Sequence, residues 1–503
     1  MQEAVPTLEV VGFMLINNTT LVTSLNHNGS EPQQNPDSVT QVNECKKLSK
    51  TYSVYIPSNF DIDELVKHNP PNFKYHKDYF LYLVHLITDI QSKNKDEEYD
   101  YVPFYSPLIQ RKVRKYRDYL DYLVENKVFD ENRQYIVGKK SRSFCFTSKY
   151  QTEIKRAFIT KKNLIKSILE FKTIEPKETC EDSINFEPES NLGYLLKWYN
   201  HKLTINFKGA KLYLEDLRSQ DEKHFLDKYK AMSRFNSRYI VLLKLQRQEF
   251  IHTIDSTAGR LHTVLTQLKG DLRQFVKYDE KPLVAIDVTN SQPYLSTVFF
   301  NQNKYKSNKL LERIRLYNKS YKINMEHENF VPYFLEKKIK EFAKLDDVVS
   351  FIEIVKSGQL YEKFGELLSS KGLINQDNPI RKQAKEIIFS SIFSPNQSIA
   401  YNQPMQIFKE NFPNVYEIYR SIKQSEHRTL ACVLQNLEAD LVLHQACKII
   451  SELRPNAPLF TLHDAIITTD EHKDFVKEIL HNVLLNAIGI PPNLKFEEWK
   501  KVA

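Results

Sequence analysis

The chain has 503 residues, an ordinary globular composition and a formal net charge of +8, and its length predicts two to four domains. Its five cysteines form no Cys-x-x-Cys pair and no zinc-type Cys/His cluster, which argues against a metal knuckle and favours reduced thiols in the cytoplasm. No apolar stretch approaches the length of a membrane span, and no basic region precedes the apolar run Val10–Ile16, so we expect neither a membrane partner nor a signal peptide.

The first 192 residues divide into three stretches. We predict a flexible polar leader over residues 1–45, a folded domain over 46–172 and an acidic linker over 173–192. Residues 101–170 hold 16 Lys/Arg against 7 Asp/Glu, so the positive charge is concentrated in the folded domain. A basic region of this kind indicates either a polyanionic partner or a solvated basic face.

A helix and a hairpin are predicted inside this basic domain. Ser106-Pro107 is typical of a helix start, and helical spacing of apolar residues continues to about Asn126. Gln134–Val137 and Ser143–Thr147 then predict two strands around a turn. The order is typical of a winged helix that binds DNA, although an ordinary α+β unit fits it equally well. The candidate DNA contacts lie on the helix and at the hairpin tip: Arg111, Arg114, Lys115, Lys139 and Lys140.

Residues 193–503 have the pattern of one large α/β unit without internal repeats. Helical patterns occupy Glu215–Gln248, Asn308–Phe342 and Val349–Ser369. Apolar runs predict strands at Leu283–Asp287 and Leu459–Thr468.

Each of these two strands carries a carboxylate among apolar residues. Asp287 ends the first, and Asp464 lies within the second, where an unpaired charge is costly to bury. If the strands lie side by side and antiparallel, the two aspartates come together, and divalent cations between them would offset their repulsion. That arrangement is typical of two-metal phosphoryl transfer. For either aspartate alone, a turn cap or a lysine partner is the simpler interpretation.

A helical stripe lies between the two strands in the sequence. Arg381, Lys385, Phe389 and Phe393 are spaced four residues apart, which places two cations and two rings along one face of a helix. A nucleoside triphosphate has the same order, with a polyanionic tail followed by a sugar and a base. The alternative is an ordinary amphipathic helix with a basic solvated end and an apolar core end.

In this order, the segments resemble motifs A, B and C of the family A DNA polymerases, the bacterial DNA polymerase I group, in a divergent form typical of a phage or mobile element. The resemblance covers about residues 195–503 and includes flanking segments as well. The matching segments begin at Ser256, Asp287, Arg381, Phe408, Leu434, Leu462 and Lys495.

The resemblance implies a right-hand fold, with an antiparallel palm sheet and helical fingers and thumb. The thumb would occupy about residues 193–255, the palm about 256–300 and 426–503, and the fingers about 300–425. It also implies a DNA-directed DNA polymerase that uses dNTPs and a DNA primer–template.

The resemblance also implies roles for individual residues. Asp287 and Asp464 would bind two Mg²⁺ ions, with Mn²⁺ as an alternative. Arg381 and Lys385 would hold the triphosphate, and Lys385 would give a proton to the leaving pyrophosphate. Phe389 would lie against the sugar and base. The remaining residues would serve the template and primer: Phe393 at the templating base, Arg260 and Gln435 at the primer–template minor groove, and His463 at the primer end.

The sequence departs from the family pattern at four places. Gln292 stands where the family has a Glu that helps to exclude ribonucleotides. Phe393-Ser394 replaces Tyr-Gly, and Ala465 replaces the Glu after the motif C aspartate. The stretch before Gln435 is also shorter than in the family. Because the metal and triphosphate ligands remain, we expect catalysis, with sugar selection less secure.

Two other functions fit the same sequence. A single-subunit RNA polymerase or a primase-like enzyme would share the scaffold, although Phe at both aromatic positions favours deoxynucleotides. A catalytically inactive DNA-binding replication protein would explain the basic N-terminal domain. Asp61-Ile-Asp63 lacks the partners of an exonuclease site, so we expect no proofreading. Replication proteins in the cytoplasm of a bacterial host or a phage-infected cell would be the further partners.

Overall fold

The computed structural model describes a large part of the chain. The described residues are 51–93, 101–132, 142–170, 192–224, 228–255, 257–301, 303–304, 309–310, 313–314, 330–374, 378–424 and 426–500. The predicted leader, nearly all of the predicted linker, the strand Gln134–Val137 and the hairpin-tip lysines Lys139 and Lys140 lie outside these ranges. Among the helices within them, none is both long and apolar enough to cross a membrane.

The described N-terminal region is a mixture of helices and short antiparallel sheets. Strands β1 (Tyr52–Pro57) and β5 (Ile154–Ile159) pair with each other, and a second sheet has the order β2 (Val102–Pro103), β4 (Ser143–Phe146) and β3 (Phe129–Asn132). Its elements are, in chain order, β1 (Tyr52–Pro57), α1 (Ile62–His68), α2 (Lys77–Lys93), β2 (Val102–Pro103), α3 (Ser106–Lys112), α4 (Tyr116–Glu125), β3 (Phe129–Asn132), β4 (Ser143–Phe146), β5 (Ile154–Ile159) and α5 (Lys162–Glu170).

The helix predicted from Ser106 to Asn126 was wrong as a single element. Helix α3 ends at Lys112, and Val113 adopts extended backbone angles with φ −127° and ψ 93° before α4 begins. Val113 is completely buried in the N-terminal apolar core. The break therefore points this side chain into the core between the cations at positions 112 and 114, which a continuous helical pattern in the sequence does not reveal.

The central sheet of the chain is antiparallel and has β10 in its middle. Strand β10 (Lys281–Val288) pairs with β12 (Ala465–Thr469) on one side and β13 (Leu494–Glu498) on the other. The order along the sheet is β11 (Phe460–Leu462), β12, β10, β9 (Val276–Tyr278) and β6 (Leu203–Ile205). In chain order, the elements from residue 193 to the end of β10 are α6 (Gly193–Leu196), β6 (Leu203–Ile205), α7 (Phe207–His224), α8 (Lys228–Gln246), β7 (Thr253–Ile254), β8 (Leu261–His262), α9 (Val264–Gln267), β9 (Val276–Tyr278) and β10 (Lys281–Val288).

The remaining helices cover the sheet and form a large apolar core beside it. A π-helical segment, Asp440–Cys447, directly follows α17 (Thr429–Ala439). The elements are α10 (Ser291–Ser296), α11 (Phe330–Phe342), α12 (Asp346–Lys356), α13 (Leu360–Ser370), α14 (Ile380–Phe393), α15 (Gln403–Asn411), α16 (Pro413–Ile422), α17 (Thr429–Ala439), α18 (Lys448–Leu453), β11 (Phe460–Leu462), β12 (Ala465–Thr469), α19 (Lys473–Ile488) and β13 (Leu494–Glu498).

Alternation along β10 explains why its sequence is apolar throughout. Leu283 and Ala285 belong to the core formed with α7 and α8, whereas Ile286 and Val288 belong to the core formed with the helices that follow β10 in the chain. Both faces of the strand are therefore covered, and Asp287 is the carboxylate of an otherwise apolar stretch. The mixed α/β character and the antiparallel sheet confirm the predicted class at this coarse level.

The N-terminal region packs directly on helix α8 and the segment after it. The Tyr55 hydroxyl donates to Glu249 at 2.8 Å, and Lys244 donates to Asp89 at 2.8 Å. Asn236 of α8 donates to the carbonyl oxygen of Thr152 at 2.8 Å. These contacts hold the basic region against α8 and the residues that follow it.

Candidate active site

Two aspartates meet at the end of the central strand. Asp287 of β10 lies opposite Ala465 of β12, so Asp464 is adjacent to it at the start of β12. Burial, then the neighbouring charges of Asp464 and Glu497, raise the pKa of Asp287 to about 6. The two carboxylates therefore repel each other in a partly desolvated position, which a divalent cation would relieve.

Asp464 owes its position to a tight turn. The prediction of one strand over Leu459–Thr468 was wrong, because Leu462 pairs with Ala465 and leaves a two-residue hairpin turn between β11 and β12. His463 in this turn has a φ of 55°, in the left-handed region that most residues avoid. The turn places Asp464 between the two strands, so its carboxylate is not buried inside a strand.

Helix α14 lies across the same pocket. A cavity of about 270 Å³ is lined by Asp287 and Asp464 from the sheet and by Arg381, Lys385 and Phe389 from α14. Arg381, Lys385 and Phe389 therefore share one face of α14, as their four-residue spacing predicts. Phe393 is absent from the lining; the residue is 36% exposed, and its ring lies edge-on to that of Phe389, with centroids 5.3 Å apart.

Helix α13 supplies the wall beside Arg381. The Arg381 Nε donates to Glu362 at 2.9 Å, and the guanidinium lies 5.2 Å from the ring centroid of Tyr361. Tyr361 also lines the pocket, and burial raises the pKa of its hydroxyl well above the ordinary value. Arg381 is thus oriented by an ion pair and an aromatic face, and Tyr361 is a pocket residue that the sequence analysis missed.

Strand β13 adds a cation to the pocket. Lys495 lies opposite Asp287 in the β10–β13 pairing and lines the same cavity. Its charge lowers the pKa of Asp287, against the larger effects of burial and Asp464. The sequence analysis included this segment in the resemblance but gave Lys495 no role, since nothing in a short polar strand indicates its neighbour.

Gln292 donates a hydrogen bond to a buried carboxylate. Glu438 of α17 is 3% exposed and accepts hydrogen bonds from the Gln292 amide at 2.6 Å and the Ser291 hydroxyl at 3.2 Å. Arg260 donates to its other oxygen through Nε at 2.9 Å and a terminal nitrogen at 2.6 Å. Burial and the charge of Asp464 raise the pKa of Glu438, whereas Arg260 lowers it.

Glu438 was missed by the sequence analysis, although one signal for it existed. It lies four residues after Leu434 and one after Leu437, on the buried side of a helix. A charged residue at such a position needs a partner. Arg260 is engaged with Glu438, and the predicted contacts of Arg260, Gln435 and His463 with a primer–template stay predictions.

The donor set suits magnesium bound together with a substrate. Within the described ranges, His, Cys, Asp and Glu side chains form no group of three or more that could hold a metal ion. Mg²⁺ in phosphate-transfer sites commonly uses one or two protein carboxylates and takes its other ligands from water and phosphate. Asp287 and Asp464 fit that pattern, and their repulsion is a reason for a cation to bind.

A buried lysine fixes the far end of α14. The ammonium of Lys423 donates to the carbonyl oxygens of Ser391 at 2.5 Å and Ser394 at 2.9 Å. Helix termini leave such carbonyls without intrahelical partners, and a cation there also complements the helix dipole. Burial lowers the pKa of Lys423 to about 8. The pocket-lining helix is thereby anchored to α16.

The candidate DNA contacts of the N-terminal region are at the surface where they are described. Arg111, Arg114 and Lys115 are exposed, on and just after α3. Lys139 and Lys140 lie outside the described residues. The interaction of this region with DNA stays a prediction.

Comparison with known proteins finds a distant likeness to solved structures. No protein-family model and no curated protein match the chain. Among solved structures, the chain is similar to the POL domain of Pol1 from M. smegmatis, in a complex with DNA primer-template and dNTP, at 8% identity and a TM-score of 0.39. The match covers 61% of this chain and 69% of that one. A likeness of this degree carries no functional assignment, which must come from the pocket residues.

The anchor of α14 can be tested by Lys423→Met, which keeps the length of the side chain and removes its donors. We expect the free energy of unfolding to fall by about 1–3 kcal/mol, because two carbonyl oxygens at the helix end lose their partner. Urea denaturation measures the change. Lys371→Met is the matched control, since Lys371 donates to Asn411 at 2.7 Å on the exposed surface. Equal stability of both variants would contradict the anchoring role.

Repulsion at the carboxylate pair can be tested by Asp287→Asn. In metal-free buffer at pH 8, the variant should have a Tm about 1–3 °C above that of wild type, because a partly buried like-charge contact is removed. Addition of Mg²⁺ should raise the Tm of wild type more than that of the variant. Asp470→Asn is the control, since Asp470 follows β12, the strand paired with β10, and pairs with Lys473 at 2.6 Å. A lower Tm for Asp287→Asn without metal would contradict the account.

Proposed function

We propose that this chain is a template-directed DNA polymerase, which transfers a nucleotidyl group from a dNTP to the 3′ end of a primer and lacks a proofreading exonuclease. The observation that carries the proposal is the composition of a single pocket. Two adjacent aspartates of a β-sheet face two cations and an aromatic ring of one helix. A nucleoside triphosphate with divalent cations presents the complementary order of groups.

Asp287 and Asp464 would hold two Mg²⁺ ions, with Mn²⁺ as an alternative. When bound, such ions favour ionisation of the primer 3′ hydroxyl and offset the charge of the triphosphate. In the reaction, the 3′ oxygen forms a bond to the α-phosphorus while the bond from that phosphorus to the β-phosphate oxygen breaks. The hydroxyl proton passes to solvent, and pyrophosphate leaves.

Arg381 and Lys385 would bind the triphosphate. Arg381 is held by Glu362 and lies against Tyr361, so its guanidinium is already oriented at the pocket. Lys385 is one helical turn further along, with its ammonium 5.1 Å from the centroid of the Phe389 ring. From there it would donate a proton to the departing pyrophosphate.

The rings would bind the nucleoside and the template. Phe389 lines the pocket beyond the cations, where the sugar and base of a bound nucleotide would follow the triphosphate. Phe393 projects outside it and would meet the templating base. Among the primer–template residues, His463 of the hairpin turn is adjacent to Asp464 and would support the primer end, with Arg260 and Gln435 toward the minor groove.

A ribonucleotide polymerase is the second candidate. Gln292 lines the pocket with an amide where a carboxylate would be expected to exclude a 2′ hydroxyl. Synthesis from rNTPs on a DNA template without a primer would favour this candidate, and synthesis restricted to dNTPs and primed templates would favour the first.

The polymerase proposal is tested by primer extension with dNTPs and Mg²⁺. Wild type should extend the primer, whereas Asp464→Ala should lose at least about 10³-fold in rate, because one side of the cation site is removed. Chelation of Mg²⁺ should abolish extension by wild type, and fresh Mg²⁺ should restore it. Absence of extension by wild type, or an equal rate for the variant, would overturn the proposal.

The role of Lys385 is tested by single-turnover insertion with Lys385→Ala. A lost proton donor and phosphate ligand should lower the insertion rate by about 10²- to 10⁴-fold. Lys382→Ala is the matched control, because Lys382 is exposed on the same helix and does not belong to the pocket lining. Its rate should stay within about twofold of wild type. Equal losses in the two variants would show that the effect is one of overall charge.

A further inference from the structure

Lys495 is a pocket cation that no protein group neutralises by direct contact. It is exposed on β13 and lines the cavity beside Asp287. With the residues that the structure describes, its ammonium forms neither a hydrogen bond nor an ion pair, whereas Arg381 on the facing helix is paired with Glu362. All three ammonium donors of Lys495 are therefore available to an anionic ligand that enters the cavity.

The carboxylates nearest to Lys495 do not take up its charge. Glu497 is the next residue on the same side of β13, and it accepts from Arg273 at 2.8 Å. Asp287 lies opposite Lys495 in the strand pairing, and the charge of Lys495 lowers the pKa of that carboxyl. The ammonium is therefore within electrostatic reach of Asp287 but does not contact it.

The order of the strands determines which reactant would lie beside Lys495. Strand β10 lies between β12 and β13, so Asp287 separates the turn of His463 and Asp464 from Lys495. The proposed function places the primer end at that turn. In an in-line displacement the leaving group lies opposite the attacking oxygen, so the leaving phosphates would extend away from the turn, toward β13.

The charges of the pocket suit such a ligand. Its lining holds three cations and two carboxylates, with Arg381 and Lys385 on α14 and Lys495 on the sheet. The last two phosphates of a nucleoside triphosphate carry most of its negative charge. A lysine ammonium binds phosphate as a compact charge without a fixed orientation, so one lysine can contact either of the two.

We propose that Lys495 binds the β- and γ-phosphates of the incoming nucleotide, which leave as pyrophosphate, so that the triphosphate is held from the sheet as well as from α14. This inference rests on the proposed polymerase function and adds a binding residue to it. In the absence of a nucleotide, the same ammonium opposes the binding of a divalent cation at Asp287, because like charges repel. Lys495 thus weakens the binding of the metal alone and strengthens the binding of the triphosphate.

Binding of the triphosphate is tested with Lys495→Met, which has a similar length and no charge. Calorimetry measures the Kd of the complementary dNTP in Mg²⁺, on a primer–template whose primer ends in a dideoxynucleotide and cannot react. The variant should bind the dNTP about tenfold more weakly, and pyrophosphate should inhibit its primer extension about tenfold more weakly, because a charge-assisted contact is lost. Lys495→Arg keeps the charge and should stay within about threefold of wild type in both measurements.

The rate of chemistry separates Lys495 from the proposed proton donor Lys385. In single-turnover insertion at saturating dNTP, Lys495→Met should retain the maximal rate within about threefold, because it removes a contact that is made before the reaction as well as during it. A loss confined to the maximal rate, with an unchanged dNTP Kd, would overturn the binding role.

Binding of the metal alone should change in the opposite direction. Mn²⁺ is titrated into the protein without nucleotide or DNA, and unbound Mn²⁺ is measured by its EPR signal. Lys495→Met should bind Mn²⁺ about two- to fivefold more tightly than wild type, because a positive charge beside the aspartates is removed. A damaged fold would weaken the binding of both ligands. Unchanged or weaker Mn²⁺ binding by the variant would overturn the placement of the ammonium beside the carboxylates.

A matched control removes the same charge elsewhere on the sheet. Lys281 lies at the start of β10, pairs with Glu471 at 2.8 Å and does not line the pocket. Lys281→Met should therefore bind Mn²⁺, dNTP and pyrophosphate as wild type does. Thermal unfolding checks that each variant is folded.

The affinity for the primer–template distinguishes the triphosphate from the phosphodiesters of the primer. Lys495→Met should bind the primer–template within about twofold of wild type, since Lys495 lies on the side of Asp287 away from the primer end. Weaker primer–template binding with an unchanged dNTP Kd would assign Lys495 to a primer phosphodiester and overturn the inference. If wild type extends primers and Lys495→Met binds dNTP and pyrophosphate as tightly as wild type, this inference alone is overturned. A wild type that extends no primer would overturn the proposed function and this inference together.

Discussion

The repulsion between Asp287 and Asp464 is the constraint around which the rest of the site is arranged. A sheet with apolar cores on both faces brings the two carboxylates together at the end of β10, where partial burial makes their charges costly. Lys495 on the neighbouring strand offsets part of that cost. The sheet would be more stable without one of these aspartates, so the presence of both points to a function that requires the pair.

Helix α14 provides the other half of the site, and its position is fixed at both ends. Glu362 and Tyr361 hold Arg381 near the start of the helix, while Lys423 satisfies the carbonyl oxygens at its end. The distance between the cations and the aspartates is therefore set by packing and hydrogen bonds. Such support is what a site needs if it is to bind a triphosphate in one geometry.

Sequence reasoning succeeded where the signal was local. The four-residue spacing of Arg381, Lys385 and Phe389 predicts a shared helix face, and the apolar run before Asp287 predicts a buried strand. Both follow from periodicity within one element. The pairing of that strand with the segment of Asp464 also follows, because two costly carboxylates have a common reason to meet.

The rest depends on contacts between distant segments, which no local pattern specifies. Glu438 reaches Arg260 across 178 positions, and Lys495 and Tyr361 enter the pocket from elements whose own sequences look ordinary. The turn at His463 was missed because a left-handed residue other than glycine, asparagine or aspartate gives no turn signal. The break at Val113 was missed because tertiary burial overrides the helical pattern there.

The central claim is that the base of a template strand determines which nucleotide is added at the pocket. The most direct measurement is the identity of the nucleotide added in Mg²⁺ to one primer paired with four templates that differ only in the base opposite the insertion site. The account predicts that the complementary nucleotide is added preferentially on every template. Addition of the same nucleotide on all four templates, or of none, would contradict it.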